Sequence, residues 1–490
     1  MTSIRHALAF SMIERYAVIA LGLVSYVLIA RLLTPEEIGI YSVTAALVGV
    51  AQVIREFGIG SYLIQAEKLH QSELDTALGL ALAAGATMFG IGVLAAPWAA
   101  AFYRDPRIAS ILMIVSLNFL ILPFCSIGQS LLRREMRFKP LMFSNMWAGL
   151  AGFVVTIGLA LASFGPASLA WGAVATNLVT AVGSWLALSG STRPRRLAFG
   201  EWRPIASYGR QTTVAAVVTS AASDMNDLAV GRILGFAPVA ILNRAMGMMH
   251  LFHRDLLGPA RSVAFPAFAA ANRDGRPLEP MFVYMFACVT AAGWVFHGFL
   301  ILFPLETLRL LAGPQWDAAA QYVIFFAAAG IPICLAPLTQ TVILATGRVD
   351  LASRADIITS LLRVALVMTT AILSRDLVAV ALAYCASLVL SVPIFLLFKH
   401  RAIRNDWTNL AVQAARSLAV TIGTLLAPTL ISVGAGLSRS QPLSMPLFLS
   451  VIALTAVTWL LMLRICKHPL ASDPLYIRLL SRLRLGPQQL

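Results

Sequence analysis

The chain has 490 residues, 59% hydrophobic and 12% charged, with a formal net charge of +15. Soluble domains carry about 25% charged residues, so a water-facing globular fold is excluded. Long apolar runs without strand-like alternation exclude a barrel, because backbone polar groups in lipid are satisfied only within helices or closed barrels. The positive charge is not a nucleic-acid footprint either, since the basic residues sit in short loops between apolar runs.

A helical crossing takes about 20 apolar residues, and about fourteen stretches qualify. They are 10–32, 38–64, 77–101, 108–131, 141–163, 167–189, 209–234, 237–268, 281–304, 319–345, 357–374, 376–398, 413–434 and 444–465. The first carries Glu14 and Arg15 and is not followed by a small-residue cleavage site, so it reads as a retained helix rather than a signal peptide. Very short connections at Thr34–Glu37 and Gly235–Ala237 predict helical hairpins. The five cysteines, Cys125, Cys288, Cys334, Cys385 and Cys466, occur singly in or beside apolar runs. They read as small buried hydrophobes rather than a disulfide frame or metal site, and the seven histidines form no metal-ligand spacing.

Orientation follows from the loop arginines and lysines. With a cytoplasmic N-terminus, the inside segments hold about 25 basic residues and the outside loops about 5. The inside clusters are Arg133, Arg134, Arg137 and Lys139; Arg193, Arg195, Arg196, Arg203 and Arg210; Lys399, Arg401 and Arg404; and a tail with Arg464, Lys467, Arg478, Arg482 and Arg484. Both termini are therefore expected inside the cell.

The longest basic connector follows the sixth stretch, and the two sides of it resemble each other. ARLLTPEEIGIY (30–41) aligns with GRILGFAPVAIL (231–242), so Arg31 matches Arg232. Arg55–Glu56 matches Arg254–Asp255 at similar depth, and Pro123-Phe124-Cys125 matches Pro332-Ile333-Cys334. The order of these matches predicts an internal duplication. Its parts are an N-terminal six-helix bundle (1–189), a cytoplasmic basic linker (190–208) and a C-terminal six-helix bundle (209–398). An additional helix pair (413–465) and a basic cytoplasmic tail (466–490) follow. Six crossings per half give parallel repeats, the plan of carriers that hold substrate between halves near the midplane.

ARLLTPEEIGIYS (30–42), FGIGSYLIQ (57–65) and LLRREMRF (131–138) resemble the polysaccharide transporter family, within a superfamily of exporters that includes multidrug extruders and the lipid II flippase. The resemblance spans essentially the whole chain. It implies an all-α polytopic membrane protein of two parallel-repeat six-helix bundles in a V shape plus two C-terminal helices. It also implies a substrate made of an oligosaccharide on polyprenyl diphosphate, and alternating access across the bacterial inner membrane.

Such a substrate directs attention to the few charges within the apolar stretches, which are costly in lipid. Diphosphate buried without partners is prohibitive, and arginine answers it with charge-assisted, often bidentate bonds. Arg15, Arg55, Arg244 and Arg254 are the candidate diphosphate or sugar contacts. The alternatives are interfacial snorkelling for Arg15, an ion-pair network closing a gate for Arg55 and Arg254, and capping of helix carbonyls for Arg244. Asp224 and Asp227 are three residues apart and share a helix face. They are candidates for proton or sodium coupling, or for ion pairing with the arginines, while Glu56 and Asp255 are gating candidates. Arg31 and Arg232 favour a structural role at helix C-termini, Arg363 has no repeat partner, and Pro123, Pro332 and Pro337 predict bends. The flank of the last two crossings is a candidate groove for the polyprenyl tail, by analogy with the lipid branches.

The reading requires no cofactor, metal or catalytic residue, and leaves open coupling to a proton or sodium gradient. Expected partners are the lipid-linked oligosaccharide, membrane lipids, and the polymerase and chain-length machinery. Competing functions are a multidrug or cation exporter, for which carboxylates rather than arginines should dominate, and a membrane polymerase or acyl transferase. The longest outer loop, about 304–318, carries no carboxylate–histidine constellation for the latter. A nucleotide-driven pump lacks its GxxxxGK[ST] loop.

Overall fold

The computed structural model describes residues 21–56, 58–66, 69–188, 193–434 and 443–473; within these, the side chains of 206, 208–216, 255 and 259–262 are not described. The described chain is helical throughout, without a strand. In order the helices are α1 (Leu21–Leu32), α2 (Pro35–Glu56), α3 (Ile59–Gln65), α4 (Gln71–Tyr103), α5 (Arg107–Ser116), α6 (Asn118–Arg134), α7 (Phe138–Leu161), α8 (Pro166–Ala187) and α9 (Trp202–Ile233). Then come α10 (Phe236–His250), a π-helical turn (Leu251–Leu256), α11 (Leu257–Arg273), α12 (Glu279–Leu302), α13 (Pro304–Leu311) and a 3-10 turn (Pro314–Ala319). The chain continues with α14 (Ala320–Ile333), α15 (Ala336–Ala345), α16 (Val349–Ser374), α17 (Leu377–Ala402), α18 (Trp407–Gly434) and α19 (Met445–Ile465).

Eleven helical segments among the described residues are long and apolar enough to cross a membrane. Three others coincide with expected crossings but do not reach that standard. The expected stretch containing α1 begins at residue 10, outside the described residues. The remaining two are rich in charge: α9 carries Arg203, Arg210, Asp224, Asp227 and Arg232, and α10–α11 carries Arg244, Arg254, Asp255, Arg261 and Arg273.

The helices form two compact units. The first comprises Met1–Ala240 with Leu311–Gln315, and the second Ile241–Leu310 with Trp316–Leu490.

In the first unit the TPEE segment is an N-terminal cap. Thr34 precedes α2, Pro35 opens it, the Glu37 carboxylate accepts from the Thr34 amide at 2.8 Å, and the Glu37 amide donates to Thr34 Oγ1 at 3.3 Å. This is a capping box with proline at the first helical position, where its missing N–H costs nothing. α7 and α8 meet through small residues. A Cβ added to Gly152 would lie 1.9 Å from Thr176 Oγ1, and one on Gly172 would lie 1.8 Å from Thr156 Oγ1. Close backbone approach through such residues is how helices associate in lipid, where apolar burial gives no drive. LLRREMRF ends α6 and caps a neighbour: Arg134 Nη1 donates to the carbonyls of Leu63 at 3.0 Å and Ala66 at 2.6 Å, at the end of α3. The basic connector is pinned to the start of α4, with buried Asp75 accepting from the Arg195 amide at 2.7 Å and from Gln71 Nε2 at 3.0 Å.

In the second unit α12 packs on α14 and α18, and α16 on α17. Thr290 on α12 bonds Ser417 on α18 at 2.8 Å, and Trp459 Nε1 on α19 donates to the Ala291 carbonyl at 2.9 Å. Lys399, expected among interfacial cytoplasmic charges, is fully buried. It pairs with Glu279, donates to Asn405 Oδ1 at 2.9 Å and sits 4.1 Å from the Phe282 ring centre. At Pro123 α6 continues, whereas at Pro332 the helix ends and restarts as α15 two residues after Cys334.

Candidate functional site

Arg55 is the most unusual charge in the first unit. It lies in the last turn of α2, 4% exposed, and its Nε and Nη1 have no hydrogen-bond acceptor among the described residues. Glu56, its chain neighbour, faces outward. The helix breaks just beyond, at Gly58, whose φ of 66° is cheap for glycine, and resumes as α3. A buried guanidinium without acceptors is expensive, so this position suits a group that receives an anion.

Asp224 and Asp227 lie on α9, which packs on α2. Asp224 is half-buried, accepts from Ser220 Oγ at 3.2 Å, and presses on Gly49, where an added Cβ would lie 2.1 Å from its Oδ2. Gly49 is thus the vacancy on α2 that admits the carboxylate. Asn226, between the two acids, is buried, and its Oδ1 has no hydrogen-bond partner among the described residues. Arg232 is exposed with its guanidinium 4.9 Å from the Phe102 ring centre, and Arg31 is exposed at the end of α1.

In the second unit Arg244 is 7% exposed and stacks 4.3 Å from the ring centre of fully buried Trp316. That contact gives it a packing role in addition to any ligand. Arg254 is exposed on the π-turn. Asp255 follows it on the same turn, with its side chain outside the described residues. Arg15, with Glu14, also lies outside them.

Gln340 and Asp356 escape the sequence reading. Gln340 Nε2 on α15 donates to Asp356 on α16 at 2.9 Å, and Arg363, two turns further along α16, lies 5.7 Å from the ring centre of Tyr384. Hydropathy starts the eleventh crossing at 357, but the helix starts at Val349 and brings Asp356 inside. Outside the crossings, Asp105 is held below the usual carboxylate range by hydrogen bonds from Arg107, which also reaches Glu36 at 2.5 Å.

The long apolar helices, the charges confined to a few helical positions and the two helical units define a multi-pass membrane transporter. The sequence matches the family model described as "Polysaccharide biosynthesis protein" over residues 28–321. The chain belongs to this family of polysaccharide exporters. It is 22% identical to the lipopolysaccharide biosynthesis protein WzxC of Escherichia coli (strain K12), across 70% of each chain. It is 23% identical to the teichuronic acid biosynthesis protein TuaB of Bacillus subtilis (strain 168), across 69% of this chain and 71% of that one. The succinoglycan biosynthesis transport protein ExoT of Rhizobium meliloti (strain 1021) is 26% identical across 63% of each. The fold is that of the lipid II flippase MurJ in an inward closed conformation, with a TM-score of 0.73 and 14% identity over 94% of this chain and 98% of that one. An inward-facing multidrug transporter of the MATE family gives 0.63 at 15% identity, over 78% and 94%.

Proposed function

We propose that the protein is a flippase that carries polyprenyl-diphosphate-linked oligosaccharide repeat units across the bacterial inner membrane by alternating access, for surface or exopolysaccharide synthesis. Membership of the polysaccharide exporter family carries this reading. The named relatives serve lipopolysaccharide, teichuronic acid and succinoglycan synthesis. In this reading the carrier breaks no bond. It lowers the cost of moving a charged headgroup through hydrocarbon, with two duplicated six-helix halves alternating around the cargo and both termini in the cytoplasm.

Arg55 is the leading diphosphate contact, because its burial without acceptors matches a ligand that brings them. Arg254, its repeat counterpart, and Arg15 share the anion, and Arg244 contributes from beside Trp316. Asp224 and Asp227 couple the cycle to a proton or sodium gradient, with Glu56 and Asp255 at the gate. The tail rides outside the polar path. An apolar groove of about 370 Å³ between α12 and α18, lined by Gly298, Ile301, Leu302, Ile422, Leu425 and Leu426, supports that arrangement. A polymerase and its chain-length partner take up the product.

The test is a deletion strain analysed for lipid-linked intermediates. Accumulation on the cytoplasmic face, reversed by the wild-type gene, is the expected result. Normal export without accumulation would refute the reading.

A further inference from the structure

The second unit holds a side-chain cluster that the transport reading does not use. His253 on the π-turn, His297 on α12 and Cys334 at the end of α14 are all buried, and a ligand atom from each lies within 4.8 Å of the others. His297 Nδ1 is 2.6 Å from the Gly293 carbonyl. Donation there fixes the tautomer and leaves the Nε2 lone pair directed elsewhere, the arrangement by which second-shell carbonyls orient metal-binding imidazoles. Among the described residues Nε2 has no hydrogen-bond partner, and neither ring nitrogen of His253 makes a hydrogen bond of good geometry, although the two residues are 0% and 8% exposed. Buried polar atoms are nearly always satisfied, so three unsatisfied nitrogens beside one thiol need an explanation. The space is also made for them: a Cβ on Gly330 would lie 2.2 Å from His297 Nε2, and one on Gly293 would lie 2.6 Å from Cys334 Sγ.

We infer that His253, His297 and Cys334 form a binding site for a soft monovalent cation of the Cu(I) class. Thiolate and imidazole are its preferred ligands. Charge decides against a divalent ion. The thiol loses its proton to solvent as the cation enters, so a site that was neutral stays neutral, with no change of oxidation state. A divalent ion with one thiolate would leave a net positive charge among the rings of Phe252 and Phe296, and such burial is costly. Liganding distances of roughly 2.0–2.3 Å require the three side chains to rotate inward. The bound ion would tie the π-turn to α12 and to the break between α14 and α15.

The test uses the full chain in detergent with Cys125, Cys288, Cys385 and Cys466 replaced by alanine, so that Cys334 is the single thiol. Anaerobic Cu(I) is supplied from a competing chelator, and Ag(I) serves as a redox-inert probe. About one equivalent should remain after desalting, as expected for a deprotonated ligand set. Cys334→Ala or His253→Phe should reduce this at least tenfold. X-ray absorption at the copper edge should show mixed nitrogen and sulfur ligation, a readout that stands even if the variants fail to fold. Retention unchanged in both variants, ligation without sulfur, or preferential retention of Zn(II) over Cu(I) would overturn the inference.

Discussion

The two arginine–acid pairs, Arg55–Glu56 and Arg254–Asp255, occupy matching places in the sequence and unlike places in the structure. Arg55 is buried at the end of a helix that breaks at a left-handed glycine. Arg254 is exposed on a continuous helix that widens into a π-turn. The proline–cysteine pairs differ in the opposite sense. Pro123 sits inside an unbroken helix, with the Cys125 thiol on the Asn177 carbonyl at 3.1 Å, whereas Pro332 ends one and delivers Cys334 to two histidines. The matching stretches therefore share the positions of charges and bends but not their environments. A residue's role follows from its neighbours and not from a sequence match.

The largest expected effect breaks the symmetry directly. Arg55→Ala should cut polymer export at least about tenfold at normal protein level, the scale of one lost charge-assisted bond. Arg254→Ala, with an exposed side chain, should cost less. Arg55→Met should also raise the melting temperature, because it removes a buried unpaired charge. A lowered melting temperature would show that Arg55 serves the fold. The next contrast is between ion pairs. Glu279→Ala strands the buried Lys399 ammonium and should cost about 3–5 kcal/mol in a denaturation assay. Glu36→Ala in the exposed Arg107 pair should cost about 0–1 kcal/mol. Third, Gly152→Ala between α7 and α8 should cost about 1–3 kcal/mol by overpacking. Gly158→Ala on the same helix, where a Cβ meets nothing within 4 Å, should be neutral or slightly stabilising.

The smallest effect separates the units by pH. Burial, reinforced by the charge on Arg416, holds His468 down to about 4. The unfolded chain takes up this proton near pH 6.5 and the folded chain only near 4, so the second unit should lose stability as pH falls through that window. His468→Gln should flatten the dependence. Asp105 in the first unit is depressed by Arg107 and keeps its contribution until the pH falls below the ordinary aspartate range. Coincident acid profiles, unaltered by His468→Gln, would remove this distinction.

Much of the fold was legible because lipid leaves the backbone so few options. The TPEE cap, the short hairpins and the bend at Pro332 follow from local rules. Hydropathy placed helix starts too late where polar residues continue the backbone ladder. α4 begins at Gln71 rather than 77, hiding buried Asp75, and α16 begins at Val349 rather than 357, hiding Asp356. Lys399 looked interfacial because its partner Glu279 is 120 residues away. His253, His297 and Cys334 share no spacing pattern, since they come from three separate helical elements. Intramembrane arginines were visible as candidates, but their burial was not, because a linear pattern does not show which face a neighbouring helix covers.

The π-turn at Leu251–Leu256 has a consequence for how the second unit is assembled. A helix that takes on one surplus residue resets its angular register by about 100° beyond that point. Upstream and downstream faces of the same rod then look in different directions. Arg244 before the turn is buried beside Trp316, and Phe268 after it is buried in the cluster that holds Phe282 and Phe286. One inserted residue thus lets a single continuous rod serve two packing surfaces.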